Sequence, residues 1–437
     1  MASEHQRITI GDVAKIKHGF AFKGEFFTDE VQPTVLVTPG NFSVGGGFQV
    51  GKPKFYAGPV PSDYVLSEGD LVVTMTDLSK ASDTLGFAVK IPATPGVTYL
   101  HNQRIGLVQM RDEGRVRKDW LHYLMRTDQY RAWVVGSASG TTVKHTSPSR
   151  IESYSFVVPP VDQQEAAAEL LDALEQRVSN LRQTNATLEA IAQALFTSWF
   201  VDFDPVRAKA EGREPEGTDA ATAALFPGEF EDSELGTIPK GWAIARFDRE
   251  FDFTMGQSPP GSTYNVERSG IPFFQGCSDF GDVFPAERVY CSQPTRFARA
   301  GDLLMSVRAP VGALNIAGAD CSIGRGLCAI RHKSGSTGLT EEFVKACLAR
   351  IENAAGEGAL FNSLSKQQLA SLPVLVSDNA ITDAMASFLD PLTSRRIAAA
   401  QQAEQLVALR DTLLPRLISG KLRLPEAEAA VAEMAHT

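Results

Sequence analysis

With 437 residues, 43% hydrophobic and 22% charged, the chain has the composition of a globular protein and the length of two or three domains. No apolar run approaches eighteen residues and the opening MASEHQRITIGD lacks a signal-peptide core, so neither a membrane span nor secretion is expected, and the expected location is cytoplasmic. The net charge of −10 argues at first against nucleic acid, and five cysteines without a CxxC argue against a zinc ribbon or a disulfide framework.

Residues 1–158 read as mixed α/β. ITIGDVAKIKHGFAF opens the region, with Gly19 at a turn, and loops follow at Pro39-Gly40 and Gly45-Gly46-Gly47. SEGDLVVTMTD is a strand preceded by a turn at Glu68-Gly69-Asp70, and 87–91 and 105–110 are further strands. Helical spacing appears over 119–135, at Leu121, Leu124, Met125 and Trp133.

After Pro159-Pro160 comes an amphipathic helix over 161–203. Stepping by four and three gives Ala167, Leu171, Leu174, Val178, Leu181, Asn185, Leu188, Ala192, Leu195 and Trp199, of which nine are apolar. About forty residues would span roughly 60 Å, so the helix needs a partner along its length. The segment 204–239 is an acidic linker. Its anchors Phe226, Phe230, Leu235 and Ile238, with Trp242 just beyond, predict that it is pinned to the protein.

The second half repeats this order. GDLLMSV at 301–307 matches GDLVVTM at 69–75, and IGRGLCA at 323–329 matches NQRIGLV at 102–108, which places Arg325 opposite Arg104. Farther on, a constant shift of 218 pairs Ile151 with Leu369, Leu171 with Leu389, Leu174 with Leu392, Leu188 with Leu406 and Leu195 with Leu413. The second helix, 381–419, carries a less regular seam, with Arg396 and Arg410 where apolar residues belong and Pro415 expected to kink its last turn. Each helix supplies the apolar stripe the other lacks, and duplicated halves related by a pseudo-two-fold axis require the pair to run antiparallel. The expected core of this coiled coil is Leu171, Leu174, Leu181, Leu188 and Leu195 with Leu389, Leu392, Leu406 and Leu413. The fold class is therefore α+β: two mixed α/β domains, each followed by a long helix.

Dividing the charge along these lines reverses the first impression. Residues 1–158 hold 17 Lys+Arg against 15 Asp+Glu, and 240–375 hold 14 against 13; residues 159–239 hold 5 against 16, and 376–437 hold 6 against 8. The acid sits on the first helix and linker, so the flanking domains are free to meet DNA. Catalytic motifs are lacking: no P-loop, GxGxxG, HExxH or GxSxG, and no Asn/Asp-Pro-Pro-aromatic tetrapeptide of the kind used on a flipped base. Asp202 and Asp204 lack a third ligand and the seven histidines show no ligand spacing, so neither catalysis nor a metal site is expected.

SGTTVKHTSPSRIESYSFVVPPVDQQEAAAELLDAL, ALFTSWFVDFDPVRAK, LFPGEFEDSELGTIPKGW and LRDTLLPRLISGKLRL, in this order, resemble the specificity subunits of type I restriction–modification enzymes. The second lead-in, LPVLVSDNAITDAMASF, departs from the pattern by lacking the Pro-Pro and Gln-Gln pairs. The resemblance implies target recognition domains at 1–158 and 240–375, conserved spacer helices at 159–203 and 376–420, the linker 204–239 and a tail 421–437. It implies a non-catalytic subunit that reads a bipartite site in double-stranded DNA, with the coil as ruler. It also implies two methyltransferase subunits using S-adenosylmethionine, and restriction–translocase subunits using ATP and Mg, as partners. No cofactor is expected in this chain, and no membrane.

Phosphates are met by Lys and Arg, and base edges by Arg, Lys, Asn or Gln. On that chemistry the DNA-binding candidates are Lys52, Lys54, Lys80, Gln103, Arg104, Lys144 and His145 in the first domain, and Gln257, Arg268, Arg296, Arg308 and Arg325 in the second. Phe196, Trp199 and Phe200 exceed what one seam needs, and with Glu169 and Asp172 on the outer face they are candidates for binding a partner subunit; the alternative for the late aromatics is packing on the chain's own linker. The competing readings are a coiled-coil protein scaffold with no DNA role and a single-chain nuclease or methyltransferase.

Overall fold

The computed structural model describes residues 7–77, 83–140, 143–355, 363–422 and 424–435. The chain divides into two compact units, residues 1–177 with 406–437, and residues 178–405. Each unit combines a β-rich domain with part of each of two 40-residue helices, α1 (Val161–Phe200) and α2 (Asn379–Ile418).

In the first unit, strands β1 (Ala14–His18), β2 (Leu71–Thr74), β3 (Ala88–Lys90) and β4 (Ile105–Met110) form an antiparallel sheet in the order β1-β4-β2-β3. In the second, β5 (Phe251–Met255), β6 (Leu303–Ser306), β7 (Leu314–Ile316) and β8 (Leu327–His332) follow the same order, β5-β8-β6-β7. The central β2 and β6 are buried on both faces, which is why they read as unbroken apolar runs instead of alternating ones. Beside each sheet lies a parallel pair, Thr34–Val37 with Thr98–His101 and Ile271–Phe274 with Cys321–Ile323. Each domain is closed by an antiparallel pair, Arg7–Thr9 with Ser155–Val157 and Ala243–Arg246 with Pro373–Val376. The duplication is therefore a repeat of topology strand by strand.

The register corrects one sequence match. Ile105 stands opposite Thr74 and Leu327 opposite Ser306, so β4 and β8 correspond one residue away from the alignment of NQRIGLV with IGRGLCA. Arg325 then matches Gln103 and not Arg104. Side chains alternate faces along a strand, so a slip of one residue changes which groups are equivalent.

The two long helices pair antiparallel. Within the second unit, Glu189 of α1 meets Arg396 of α2 at 3.4 Å, and ten residues later Trp199 meets Phe388 with ring centroids 5.8 Å apart. Within the first, Glu175 lies 3.4 Å from Arg410. Leu171, Leu174, Leu389, Leu406 and Leu413 are buried, as expected of a core. Leu181, Leu188, Leu195 and Leu392 are only half-buried: from Val178 onward the buried row of α1 is Val178, Asn185, Ala192 and Trp199, joined at its end by Phe196 and Phe200. A pair of helices encloses one row of the stripe and leaves its other row at the edge of the seam. Pro415 does not end α2, which runs on to Ile418.

The start of α1 explains the second glutamine of the Gln-Gln pair. Gln164 is fully buried; its Oε1 accepts from the Arg117 backbone N at 2.9 Å, and its Nε2 donates to the Arg115 and Pro159 carbonyls at 3.0 and 2.8 Å. One amide thus satisfies three backbone groups and ties the helix to its domain. At the matching place on α2, Thr382 makes a single hydroxyl hydrogen bond with Ser377, which agrees with the missing motif there.

The linker forms helices Asp204–Ala210 and Ala220–Leu225 and a hairpin, Phe230–Ser233 with Gly236–Pro239. Phe226, Ile238 and Trp242 are buried and Phe230 packs on the same core, so the linker is pinned. Leu235, at the hairpin turn, is exposed instead. In the tail, Leu424–Ala435 is helical.

Candidate nucleic-acid interface

At one end of each four-stranded sheet three chain segments meet. As β1 ends, Gly19 N donates to Ile105 O at 3.2 Å and Phe20 N to His101 O at 2.9 Å; as β5 ends, Gly256 N donates to Leu327 O at 2.9 Å and Gln257 N to Ile323 O at 3.0 Å. A Cβ on Gly19 would lie 2.0 Å from Asn102 O, and one on Gly256 2.1 Å from Gly324 O. Only glycine permits this crossing of backbones. The turn before the last strand is then joined to the segment after β2 or β6, by Met75 N to Arg104 O (2.9 Å) and Val307 N to Gly326 O (2.8 Å). A third segment closes the arrangement, by Thr146 N to Met75 O (3.0 Å) and Leu364 N to Val307 O (2.9 Å). The same backbone frame therefore carries both tips.

Several candidate residues converge on these tips. In the first unit Gln103 and Arg104 are exposed on the turn, while Lys144 and His145 pair with Asp77 and Thr76 across the third segment. The His145 ring lies 3.1 Å from the Thr76 hydroxyl. In the second unit Gln257 and Arg325 are exposed on the matched frame, Arg308 bridges Ser363, and the Arg296 carbonyl accepts from Ile323 N at 3.1 Å. Lys52 and Lys54 sit to one side of the first tip. Both are exposed beside Phe27 and Thr38, with Lys54 Nζ 3.9 Å above the Phe27 ring centroid. Arg268 also lies away from the tip, with a left-handed φ of 59°, in a groove shared with Glu287 and Glu404 whose acidity disfavours a phosphate. Lys80 lies outside the described residues.

No family model matches the chain. A protein assigned as the specificity subunit of the MjaX type I restriction enzyme of Methanocaldococcus jannaschii is 27% identical over 336 residues, covering 74% of this chain and 72% of the relative. The HindI type I restriction enzyme specificity subunit of Haemophilus influenzae is 23% identical over 347 residues, covering 68% and 75%. The crystal structure of the type I restriction–modification S subunit from M. genitalium superposes with a TM-score of 0.55 over 94% of this chain and 95% of that one; at 13% identity this likeness speaks for the fold. The chain belongs to the type I restriction-enzyme specificity subunits. The motif order and the duplicated topology agree with that membership.

The specificity subunit turns most of the expected partner-binding residues inward. Phe196, Trp199 and Phe200 are buried: Phe196 stacks on Phe200 at 4.9 Å, Phe200 meets Trp242 and Phe343, and Trp199 meets Phe226 of the linker. Their apolar area is consumed by the core of the second unit, so they anchor the linker and domain to α1. Asp172 is engaged as well, accepting from the Tyr123 hydroxyl at 2.6 Å and pairing with Lys90 at 3.1 Å. Burial, with Glu175 and Asp172 adding to it, pushes the Tyr123 phenol well above its ordinary range, so it remains a donor. Of this group only Glu169 is exposed. Sequence reasoning missed Arg126, which pairs with Glu175, and Glu341 and Lys345, which pair with Glu189 and Arg396. The irregular arginines of the second seam were the available signal, since a buried arginine requires a carboxylate somewhere.

Proposed function

We propose that this specificity subunit reads a split DNA sequence and holds the catalytic subunits of a restriction–modification complex on it. The observation that carries the reading is the repeated tip: one backbone frame, present in both units, with different exposed side chains on each. Two copies of a frame with unlike surface groups suit two unlike half-sites. Lys and Arg around each tip supply phosphate contacts, and Gln and Arg at the turns supply base contacts. The antiparallel helices common to both units set the gap between half-sites, which on B-DNA is measured against a turn of about 34 Å.

In this reading the chain performs no bond chemistry. Two methyltransferase subunits using S-adenosylmethionine, and restriction–translocase subunits using ATP and Mg, join it in the cytoplasm. Among the described residues no helix is long and apolar enough to cross a membrane. Base-resolved methylation mapping in cells with and without the chain tests the proposal. Modified bases are expected in two short half-sites at a constant gap, and are expected to vanish with the chain. A continuous motif, or methylation unchanged by deletion, would overturn it.

A further inference from the structure

At the tip of the second unit three polar side chains stand beside glycines: Gly256-Gln257, Gln275-Gly276 and Gly324-Arg325-Gly326. The glycines bring the segments into backbone contact. A Cβ on Gly324 would lie 2.9 Å from the Cα of Gln275, and a Cβ on Gly326 would lie 2.7 Å from the Gln275 carbonyl oxygen, which accepts from Gly326 N at 3.1 Å. Neither glycine has a left-handed φ, so the need is for room and not for an unusual turn. With the backbones this close, the groups left facing solvent are Gln257, Gln275 and Arg325, all exposed.

Ser258 braces two of them. Its hydroxyl accepts from the backbone N of Arg325 at 3.2 Å and from Nε2 of Gln275 at 2.7 Å, with Oε1 of the same amide at 3.1 Å. An exposed glutamine ordinarily samples many rotamers, and ordering it costs entropy at binding. Here the amide is already held by one hydroxyl, which accepts from Nε2 and donates to Oε1, while its second Nε2 hydrogen and the other Oε1 lone pair remain available. That remainder, one donor beside one acceptor, matches the N7 acceptor and N6 donor of adenine in the major groove. The guanidinium of Arg325 has no hydrogen bond or ion pair among the described residues, and its fork matches O6 and N7 of guanine.

We propose that Gln275, positioned by Ser258, reads an adenine, and Arg325 the guanine next to it, in the half-site of the second unit. The matched positions in the first unit are Thr38 and Gln103, a different pair of groups on the same frame. This assignment rests on the DNA-reading function proposed above and names its chemistry at one tip.

The test is methylation mapping with the whole complex carrying Gln275→Ala, Gln275→Glu, Arg325→Ala or Ser258→Ala. Gln275→Ala is expected to lower discrimination at one position of one half-site by roughly tenfold or more. The other half-site and the gap are expected to stay unchanged. Gln275→Glu, which accepts but does not donate, is expected to move that preference from adenine toward cytosine. Arg325→Ala is expected to relax the adjacent guanine. Ser258→Ala is expected to weaken the Gln275 position more mildly, with the same base still favoured. An unchanged half-site with both Gln275 variants overturns the assignment, as does a uniform weakening across all positions, the mark of a group that meets phosphate. Wild-type complex that modifies no split site overturns the function proposed above, a result distinct from either.

Discussion

Arg396, in the seam of α2, donates a 2.7 Å hydrogen bond to Glu341, and the two side chains are only 5% and 7% exposed. The pair belongs to a network in which Lys345 reaches Glu341 at 2.9 Å, Glu342 at 3.0 Å and Glu189 of α1 at 2.8 Å. Burial pushes the Glu341 carboxyl up, but Lys345 and Arg396 outweigh it and hold the group below the usual carboxylate range; Glu342, with less help, is raised. A charged seam position that looked like a defect is thus the link between helix pair and second domain.

Removing one partner of a buried pair costs about 3–5 kcal/mol when the other charge is left uncompensated; here Glu189 stays 3.4 Å from Arg396, which places the loss at the lower end, about 3 kcal/mol. Glu341→Ala is therefore expected to lower the stability of the chain, measured by urea unfolding, by that order. Replacing both partners, Glu341→Leu with Arg396→Met, is expected to restore most of the loss. A single variant as stable as the wild type would show that the network contributes nothing.

Gln164→Ala removes one side chain and strands three backbone groups. Leaving a buried donor or acceptor unmade costs about 1–3 kcal/mol. A loss of about 2–3 kcal/mol is expected on denaturant unfolding, with faster amide exchange at the first turn of α1. The matched Thr382→Ala, which removes one hydroxyl hydrogen bond, is expected to cost about 1 kcal/mol or less.

Acid should weaken the first unit. His101 is buried with its Nε2 2.8 Å from the Ile105 carbonyl; burial dominates and lowers its pKa to about 4, from 6.5. His122 is also pushed well down, by burial first and then by Arg126 and Lys90. A neutral histidine in the fold that takes a proton once unfolded gives stability that is full above about pH 6.5 and declines as pH falls toward 4. Melting temperature is expected to drop between about pH 7.5 and pH 5. In His122→Phe the drop should be smaller, and an equal drop would remove His122 from the account.

Lys52 and Lys54 lie to one side of the first tip, beside Thr38 on an exposed face, and a lysine there is a point charge that suits a phosphate. In the assembled complex, alanine at either is expected to weaken DNA binding without changing the preferred sequence. The slope of log affinity against log salt should fall by about 1 for each phosphate that is no longer neutralised. A changed target sequence would contradict this.

Much of the site stayed hidden because partners were remote in sequence. Gln103 and Arg325 were legible as exposed polar turn residues, yet their equivalence emerged only from the strand register, since a one-residue slip is invisible in a weak alignment. Gln275 attracted no notice, because nothing near it in the chain indicates that Ser258 and the Gly324–Gly326 turn lie against it. Phe196, Trp199 and Phe200 read as surplus aromatic surface for the same reason: Trp242 and Phe343 are far along the chain.

The sequence by itself determined the duplication, the two long helices, the charge division and the family, because periodicity, composition and motif order are properties of a linear string. Tertiary structure decided which half of the seam is enclosed, which carboxylates accept the buried arginines and which polar groups share a tip. Those outcomes depend on contacts between residues dozens to hundreds of positions apart, and a buried charge or a close backbone crossing is settled by what the fold brings to it. The seam arginines show the division: their oddity was plain in the string, and their reason was Glu341 and Glu175.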